Sequence, residues 1–599
     1  MISNTIHDAG GDSTRTPLFV KCLNRKALKI IAAVGRGYET LDIFYISKDI
    51  SAEMENKIRQ AGASLSYVDF HLFPEEYFNC ERELCVASRD LMESAAIKAM
   101  FHASKAYINS GADHFKRSMQ KSLVYLIGND FKLFFLAKKL GKLNNAIFLV
   151  MEIELLSMLF PNSVMLKEGV SIKRMSLAIG IFVVMLFRVL FYSGKNLERG
   201  SRLSILFDPL FTYVNGGNPE FKAFYSYLKD RDDVIYICRG GKSELRSFLE
   251  SEGKPIAVVS WGVRGFGKKV SSFLATVSLA RVVFLDRNGW GLKCAIAKIK
   301  SKELYFSCLF ENMKPKVYLQ VRSDMDEFHP IATGIIEQHG GAHVGYMTGS
   351  YFTQTRDFYT IDFHVYGLLG RYFKENIYKS VWPDDIQYLL VGAITSEASG
   401  YNRTKKPRFA VSLATTSFGN GIWMQEDYYK GCIDAFFYSV SGMEGEMALR
   451  EKDPRGELIE SFVEGCATKY GVNFTLSVPC DVGDEGVHSS YSDEFVLDSE
   501  IIVIMGTSTI GWEALGLRKK FIIFGQEGIG HPFEDMLPKL VVRTKEELRD
   551  RIDWLLAMHE AEFCAMTKPL MDWMCRESTG NMVEMFINKS LTLSEKGTV

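Results

Sequence analysis

The residues that most suggest chemistry lie near the C-terminus, where a short apolar run ends in a glycine and three hydroxyl side chains. The run Ile501–Met505 is β-branched and too short for a helix, and it predicts a buried strand of a parallel sheet. Gly506 ends this strand. Thr507, Ser508 and Thr509 follow as residue types that cap helices. A strand leading through such a turn into a helix presents backbone N–H groups and hydroxyls to an anion, so we expect phosphate binding here.

A carboxylate follows this turn at a spacing that suits a nucleotide. Glu513 lies four residues after Thr509, one turn into the predicted helix. A carboxylate there can accept hydrogen bonds from ribose hydroxyls, as an acidic residue does in other nucleotide-binding folds. Any parallel α/β sheet contains comparable turns, so a purely structural explanation stays open. The hydroxyl cluster, the helix-borne carboxylate and a second apolar strand up to Phe524 together favour nucleotide binding.

This segment resembles the donor-nucleotide motif of GT-B glycosyltransferases. In that motif a Ser/Thr turn and a Glu before Ala-Leu hold the sugar nucleotide, and here Glu513 precedes Ala514-Leu515. The resemblance covers about the last two thirds of the chain. It implies an α/β fold with two Rossmann-like parallel-sheet domains and an N-terminal α/β-helical extension. In GT-B folds a C-terminal helix often crosses back to the first domain.

The pattern of short apolar runs predicts where these domains lie. From residue 203 the predicted strands are Leu203–Phe207, Val234–Cys238, Ile256–Ser260, Arg281–Leu285, Val317–Val321, Val344–Met347, Phe363–Tyr366, Phe409–Leu413, Asn473–Val478 and Ile501–Met505, with helical material at 427–469. Before them, strands are predicted at Leu28–Val34, Ile43–Ile46 and Ser64–Val68 and helices at 51–60 and 81–140. We therefore expect a flexible tail (1–27), an N-terminal accessory α/β region (28–202), an acceptor-side domain (203–380) and a nucleotide-donor domain (381–599).

A second candidate site lies in the acceptor-side domain. The Gln-His-Gly-Gly segment at 338–341 resembles the Gln-His-Gly signature of bacterial surface-carbohydrate and teichoic-acid-type transferases, including CDP-glycerol glycerophosphotransferases. The resemblance implies a catalytic role for His339. A neutral histidine could take the proton of an acceptor hydroxyl, because its pKa lies near the working pH. Asp324, Asp326 and Glu327 are alternative bases, and each could equally be a solvated loop residue.

Further residues could contact the donor. Thr415, Thr416 and Ser417 follow the first strand of the second domain, where GT-B enzymes place a loop against the donor phosphates. Such hydroxyl-rich turns are also common without a ligand. His531 precedes a proline and resembles the His-Pro motif by which bacterial sialyltransferases and Kdo transferases hold the CMP phosphate, although in several of those families the motif precedes the Ser/Thr turn.

We expect neither a metal nor another cofactor. Asp324-Met-Asp326 formally matches an Asp-x-Asp metal motif. GT-B enzymes, however, stabilise the leaving phosphate with helix dipoles and basic groups. The eleven cysteines show no Cys-x-x-Cys pattern, which argues against a zinc site and suits a reducing cytoplasm. The N-terminus does not read as a secretory signal.

One segment raises the question of a membrane. Residues 175–187 are uncharged, basic residues flank them, and Arg188 interrupts the run before it reaches the ~20 residues of a membrane span. Such an apolar hairpin could lie in the headgroup region at the cytoplasmic face of the inner membrane, because its basic flanks would attract anionic lipids. It could equally be a helix buried in the core. The sequence leaves both interpretations open.

The favoured function is a cytoplasmic glycosyltransferase, associated with the membrane only peripherally if at all. It would move a sugar from a CMP- or UDP-type nucleotide sugar to a bacterial surface polysaccharide or a lipid-linked glycan. The alternatives are a teichoic-acid-type polyol-phosphate transferase with a CDP-polyol donor, a sugar-nucleotide 2-epimerase, and a non-enzymatic glycan-binding scaffold. Net charge is −1, so the composition gives no reason to expect a nucleic-acid partner.

Overall fold

The computed structural model describes most of the chain and divides it into two compact units. The described residues are 15–33, 41–67, 74–104, 108–167, 172–191, 203–209, 219–238, 244–258, 266–285, 289–321, 326–347, 360–378, 382, 385–394, 406–415, 426–451, 457–479, 488–490, 492–506, 508–525, 531–571, 573–577, 579 and 581–595. Unit 1 contains Met1–Gly194, Trp261–Cys308 and Pro330–Ile335. Unit 2 contains Lys195–Ser260, Leu309–His329 and Ile336–Val599.

Strands and helices alternate along the described segments. The strands are β1 Thr16–Asn24, β2 Leu41–Asp49, β3 Ser64–Tyr67, β4 Ile147–Val150, β5 Val164–Lys167, β6 Ile205–Pro209, β7 Val234–Cys238, β8 Ile256–Val258, β9 Val317–Val321, β10 Ala342–Tyr346, β11 Val365–Leu368, β12 Gln387–Leu390, β13 Phe409–Ala414, β14 Met447–Arg450, β15 Phe474–Pro479, β16 His488–Ser490, β17 Ser499–Met505, β18 Lys520–Phe524 and β19 Val541–Val542. The α-helices are α1 Arg25–Ala33, α2 Ala52–Gln60, α3 Pro74–Glu93, α4 Ala95–Ser104, α5 Ala112–Lys139, α6 Ile153–Leu159, α7 Ile172–Phe191, α8 Pro219–Leu228, α9 Glu244–Ser251, α10 Phe266–Leu285, α11 Trp290–Met313, α12 His329–Gln338, α13 Glu426–Val440, α14 Glu457–Tyr470, α15 Ser492–Leu497, α16 Ile510–Gly516, α17 Lys545–Ala557, α18 Glu560–Thr567 and α19 Met582–Glu595.

Unit 1 contains a five-stranded sheet in the order β3-β2-β1-β4-β5, with every pair parallel. Its central strand, β1, lies in the segment that the sequence suggested to be a flexible tail. The short run Leu18–Val20 is enough for a strand here, because it is fully buried between β2 and β4. The predicted strand after it is instead the helix α1. Leu28 and Ile31 are buried one helical turn apart, and the Asn24 carboxamide accepts the Ala27 N–H at 2.9 Å as an N-terminal cap.

Unit 2 contains two seven-stranded sheets, and both have a Rossmann-like strand order. Sheet 2 runs β12-β11-β10-β9-β6-β7-β8 and sheet 3 runs β16-β15-β14-β13-β17-β18-β19. The paired strands are parallel throughout both sheets. In each sheet the first strand of the domain is central, and the strands that follow it along the chain, two in sheet 2 and three in sheet 3, extend to one side. The next strand, β9 or β17, returns to the centre and begins the other side. The predicted α/β class with two Rossmann-like domains is therefore confirmed.

The C-terminal segment returns from the lobe of sheet 3 to the lobe of sheet 2. Arg576 donates its backbone N–H to the Leu369 carbonyl at 2.8 Å and a guanidinium N–H to the Leu390 carbonyl at 3.0 Å. The helix α19 then packs on sheet 2, where the Phe586 ring lies 6.2 Å from that of Tyr346. Two Rossmann-ordered lobes joined by a returning C-terminal helix form the GT-B arrangement.

Three local predictions in the later part of the chain differ from the structure. The predicted strand Arg281–Leu285 is the end of α10, since its apolar residues continue a helical stripe through Leu279 and Val283. The predicted helical region 427–469 contains the buried strand β14 between two helices. Sheet 2 extends past the predicted boundary at 380 to include β12, and α10 belongs to unit 1 rather than to the acceptor-side domain.

Candidate functional site

The predicted donor motif lies at the topological switch point of sheet 3. Strands β13 and β17 are neighbours there, although β14, β15 and β16 come between them along the chain. Thr415 follows β13, is buried, and donates its N–H to the Arg450 carbonyl at 2.9 Å. Gly506 follows β17 with φ of 57°, a value that favours glycine, and donates its N–H to the Phe524 carbonyl at 2.9 Å. Nucleotides bind doubly wound sheets at the carboxyl ends of such strands.

Two residues of the hydroxyl-rich turn after Gly506, Ser508 and Thr509, are described by the structure. Thr509 is the N-cap residue of α16, but its side chain makes no capping hydrogen bond and it is half-exposed. Ser508 is buried beside it. The helix contains only seven residues, so anion binding would depend on the turn itself more than on a helix dipole. Thr507, like Thr416 and Ser417, lies outside the described residues.

Glu513 is held in the interior of this site. Glu513 is 3% exposed, and its backbone N–H donates a hydrogen bond to the Thr509 carbonyl at 3.1 Å. The neighbouring Trp512 packs against Phe373 at 6.1 Å between ring centroids. Phe373 belongs to a π-helical turn, Phe373–Ile377, that comes after the carboxyl end of β11. Segments beyond the carboxyl ends of strands in both sheets therefore touch at α16.

His531 packs against the same helix and is uncharged. Its ring lies 5.7 Å from that of Trp512. Nδ1 accepts the Phe533 N–H at 3.2 Å, so Nε2 carries the ring proton and is a donor. The backbone N–H of His531 bonds Glu534 at 3.1 Å, and Arg543 holds that carboxylate with two bonds of 2.5 and 2.9 Å. The bonds to Arg543 are the main cause that lowers the pKa of Glu534.

Burial of His531 makes the stability of this region depend on pH. Burial lowers the pKa of His531 to about 3, whereas an unfolded histidine has a pKa of about 6.5. Below pH 6.5 the unfolded chain therefore binds a proton that the folded chain does not, and stability falls as the pH decreases toward 3. We expect about 2 kcal/mol of destabilisation between pH 7 and pH 5 from this group alone.

The measurement is urea unfolding of the wild type and of His531→Gln at both pH values. The loss of stability between pH 7 and pH 5 should be smaller in the variant by that amount. This window lies above the range in which Glu534 loses its own stabilising contribution, since a carboxylate with a lowered pKa does so only at lower pH. An equal loss in both proteins would contradict the assignment of a buried, neutral His531.

The switch point of sheet 2, between β6 and β9, carries a second polar group. Asp326 comes after β9 and is half-buried. Its carboxylate accepts the Phe328 N–H at 2.9 Å and the Gln320 side-chain amide at 3.1 Å. The Gln320 carbonyl oxygen in turn accepts the Nε2 proton of His343 at 3.0 Å. Across the switch point, Gln320 is in register with Asp208 of β6.

A buried histidine fixes the backbone of Asp326. The Nδ1 proton of His329 is donated to the Asp326 carbonyl at 2.6 Å, and Nε2 accepts the Asp362 N–H at 2.9 Å. The ring is fully buried and stacks on Phe363 at 4.7 Å. A carboxylate has several lone-pair sites, so a group that hydrogen bonds hold in place can also serve as a base. Among the predicted bases, the adjacent Glu327 is half-buried in the turn before α12, and Asp324 lies outside the described residues.

His339 lies at the amino ends of the strands of sheet 2, opposite to the carboxyl ends that are near Asp326. It is the C-cap residue of α12 and comes before β10, at the amino end of that strand. Gly340 has φ of 71°, its N–H bonds the Glu337 carbonyl, and the Gly341 N–H bonds the Ile336 carbonyl. These two bonds form a Schellman cap, which accounts for both glycines of the Gln-His-Gly-Gly segment. The position of His339 therefore differs from that expected of a base at the carboxyl ends of the strands.

Sequence analysis missed charged residues at the end of β14. Arg450 and Glu451 are both buried there, and the Arg450 carbonyl holds Thr415. The turn glycines Gly442 and Gly445, both with positive φ, come directly before this short apolar strand and could have revealed it. A buried guanidinium at this edge is suited to bind an anionic ligand. Within the described segments, no group of three His, Cys, Asp or Glu side chains is arranged to hold a metal ion.

Comparison with known proteins adds fold likenesses only. The chain matches no protein-family model, and no curated protein matches its sequence. It resembles UDP-GlcNAc 2-epimerase from Neisseria meningitidis bound to UDP-GlcNAc, with 11% identity, a TM-score of 0.40, and coverage of 65% of this chain and 100% of that chain. A glycosyltransferase from Rickettsia africae has 12% identity and a TM-score of 0.39, with coverage of 66% of this chain and 99% of that chain. The wall teichoic acid polymerase TagF has 10% identity and a TM-score of 0.37, with coverage of 71% of this chain and 97% of that chain. At these values the fold assignment rests on the strand orders and the returning helix described above.

Proposed function

We propose that this chain is a GT-B-type glycosyltransferase that transfers a sugar from a CMP- or UDP-type nucleotide sugar to a surface polysaccharide or lipid-linked glycan. The observation that carries the proposal is the pair of Rossmann-ordered sheets in unit 2, each with polar residues at its switch point. The contact between Phe373 and Trp512 supports a shared ligand region at the carboxyl ends of both sheets. The acceptor class follows only from the sequence resemblance.

The donor would be held by sheet 3. Glu513 would accept hydrogen bonds from the ribose hydroxyls, as a buried carboxylate near a phosphate turn does in other nucleotide folds. The turn around Ser508 and Thr509 would donate N–H and O–H groups to the phosphate, and His531 would add its neutral Nε2 donor. Arg450 would supply a positive charge at the same edge. The turn, His531 and Arg450 would together stabilise the negative charge that grows on the leaving phosphate.

The acceptor would be activated by sheet 2. Asp326 would take the proton of the acceptor hydroxyl while that oxygen forms a bond to the anomeric carbon. The bond between the anomeric carbon and the nucleotide phosphate breaks, and its electron pair leaves with the phosphate. The hydrogen bonds from Gln320 and Phe328 support this role, because they hold the carboxylate in one orientation.

A cytoplasmic location is part of the proposal, and the ten free cysteines in the described segments support it.

Titration of the purified chain with CMP, CDP, UDP and GDP tests the donor site, followed by incubation with the matching nucleotide sugar. We expect one nucleotide to bind preferentially and the sugar to be released slowly to water without acceptor. Release of polyol phosphate from a CDP-polyol would replace the proposal by the polyol-phosphate transferase. Inversion at C2 of a UDP-sugar would indicate an epimerase, and glycan binding without donor turnover would indicate a scaffold.

A further inference from the structure

Two helices of unit 1 expose large apolar side chains to solvent. In α7, Ile172, Val183, Phe187 and Phe191 are 68%, 58%, 57% and 69% exposed. In α10, Phe266 and Leu285 are 85% and 74% exposed. Large aliphatic and aromatic side chains are normally scattered singly over a soluble surface. A concentration of them on two adjoining helices marks an interaction site.

The two helices pack together and form one surface, which we call the two-helix surface. Phe182 of α7 is buried against Phe284 of α10, with 5.4 Å between the ring centroids. Lys269 near the start of α10 donates to the Leu190 carbonyl near the end of α7 at 3.2 Å, so the helices run antiparallel. Each helix buries a stripe of side chains, including Met185 of α7, and exposes the rest of its apolar residues. The segment that the sequence left open between membrane and core thus has one buried face and one exposed face.

The charges on this surface have a single sign. Neither α7 nor α10 contains an acidic residue, and each contains three basic ones: Lys173, Arg174 and Arg188 in α7, and Lys268, Lys269 and Arg281 in α10. Lys173, Lys268 and Arg281 are exposed. Arg174 forms an ion pair with Glu152, which follows β4, and so joins the start of α7 to the sheet of unit 1.

We propose that the two-helix surface binds the headgroup and acyl-chain boundary of an anionic bilayer, with both helices lying in the membrane plane. Exposed phenylalanine and aliphatic side chains would enter the outer part of the hydrocarbon, and basic side chains would contact lipid phosphates. A 20-residue helix such as α7 is about 30 Å long, so the contact would be extended. This inference does not depend on the proposed function, because it uses unit 1 alone.

A lengthwise span by α7 fits the structure less well. The helix is long and apolar enough to cross a bilayer, with a mean hydropathy of 2.0 over its most apolar window, of which only 22% is buried. However, Phe182 packs against Phe284 of α10, which ties the two helices together. α10 contains Lys268, Lys269, Arg281 and several hydroxyl side chains. Carrying α10 into the hydrocarbon with α7 would bury those charges at a high cost in free energy.

Self-association through the same surface is disfavoured by charge. In a two-fold dimer the identical patch of each copy meets the other, so the basic side chains of both copies would converge. No acidic side chain on either helix could compensate them. An anionic lipid surface supplies the missing negative charge, which is why we choose the bilayer as the partner.

Vesicle flotation of the purified full chain tests the proposal. We expect the wild type to float with phosphatidylcholine vesicles that contain phosphatidylglycerol and much less with phosphatidylcholine alone. The triple variant Val183→Ser, Phe187→Ser, Phe266→Ser should bind both kinds of vesicle about tenfold more weakly than the wild type does. The variant Lys173→Glu, Lys268→Glu, Arg281→Glu should lose the preference for anionic lipid. Leu556→Ser, an exposed apolar residue of unit 2, is the matched control and should bind like the wild type.

Three results would overturn the proposal. The first is equal flotation of the triple variant and the wild type, with circular dichroism confirming that both are folded. The second is membrane-bound protein that resists alkaline carbonate extraction, which would indicate a span. The third is a wild-type dimer in analytical ultracentrifugation that the triple variant dissociates, together with no binding to anionic vesicles, which would make the surface a subunit interface.

Discussion

Asp326→Asn is expected to lower the rate of sugar transfer by about 100- to 10,000-fold, the usual contribution of a general base, with donor affinity nearly unchanged. The carboxamide keeps the size of the carboxylate and can still accept the Phe328 N–H, so the turn before α12 should persist. It cannot take a proton from an acceptor hydroxyl at neutral pH. The measurement is kcat and KM for transfer, with the nucleotide Kd determined separately by calorimetry.

His339→Ala is the control for this experiment. His339 belongs to the same lobe but caps α12 at the amino edge of sheet 2, and its replacement leaves the glycines of the cap in place. We expect kcat to stay within about twofold of the wild type, because the substitution does not alter the carboxyl edge. A large loss of kcat in His339→Ala together with an active Asp326→Asn would reverse the assignment and restore His339 as the base.

Glu513→Gln is expected to weaken nucleotide binding by roughly 10- to 100-fold without unfolding the chain. The loss corresponds to a charge-assisted hydrogen bond becoming a neutral one inside a buried site. Gln is chosen over Ala because the side chain is buried, and truncation would add the cost of a cavity. Calorimetric titration with the preferred nucleotide gives Kd, and thermal unfolding without ligand reports stability.

Glu500→Gln is the matched control for Glu513. It makes the same change in charge on β17, where Glu500 is exposed, and should leave the nucleotide Kd unaltered. If Glu513 serves only to complete the packing of α16, then Glu513→Gln should lower the melting temperature while the Kd of the folded protein stays at the wild-type value. That outcome would remove the ribose-binding role.

Local patterns predicted many elements correctly. The strand before Gly506 and the first strand after residue 408 occur where expected. The Thr-x-x-Glu pattern of Thr544 and Glu547 predicts a capped helix, and α17 begins there. In the last case both hydrogen bonds of the capping box are present, with the Thr544 oxygen accepting the Glu547 N–H at 3.2 Å. These signals are reliable because they involve residues within one turn or one strand of each other.

Other predictions failed where distant contacts decide the conformation. The β-branched Val282 and Val283 suit a strand, but Val283 is buried and Phe284 packs against Phe182 of α7, so the segment forms the end of a helix. Strand β14 is only four residues long and forms because β13 and β15 lie on either side of it. The strand β1 in the expected tail forms for the same reason, since it is the centre of its sheet.

The sequence by itself determined the fold class and the strand that ends at Gly506, because hydrophobic periodicity and a glycine after a short apolar run are local properties of the chain. Only the tertiary structure decided which polar residues lie together at the same ends of the strands of a sheet. Asp326 lies at the carboxyl edge of sheet 2 and His339 at its amino edge, although both come from one short stretch of the chain. It likewise decided which face of α7 is exposed, because that depends on the packing of α10, a helix distant in sequence.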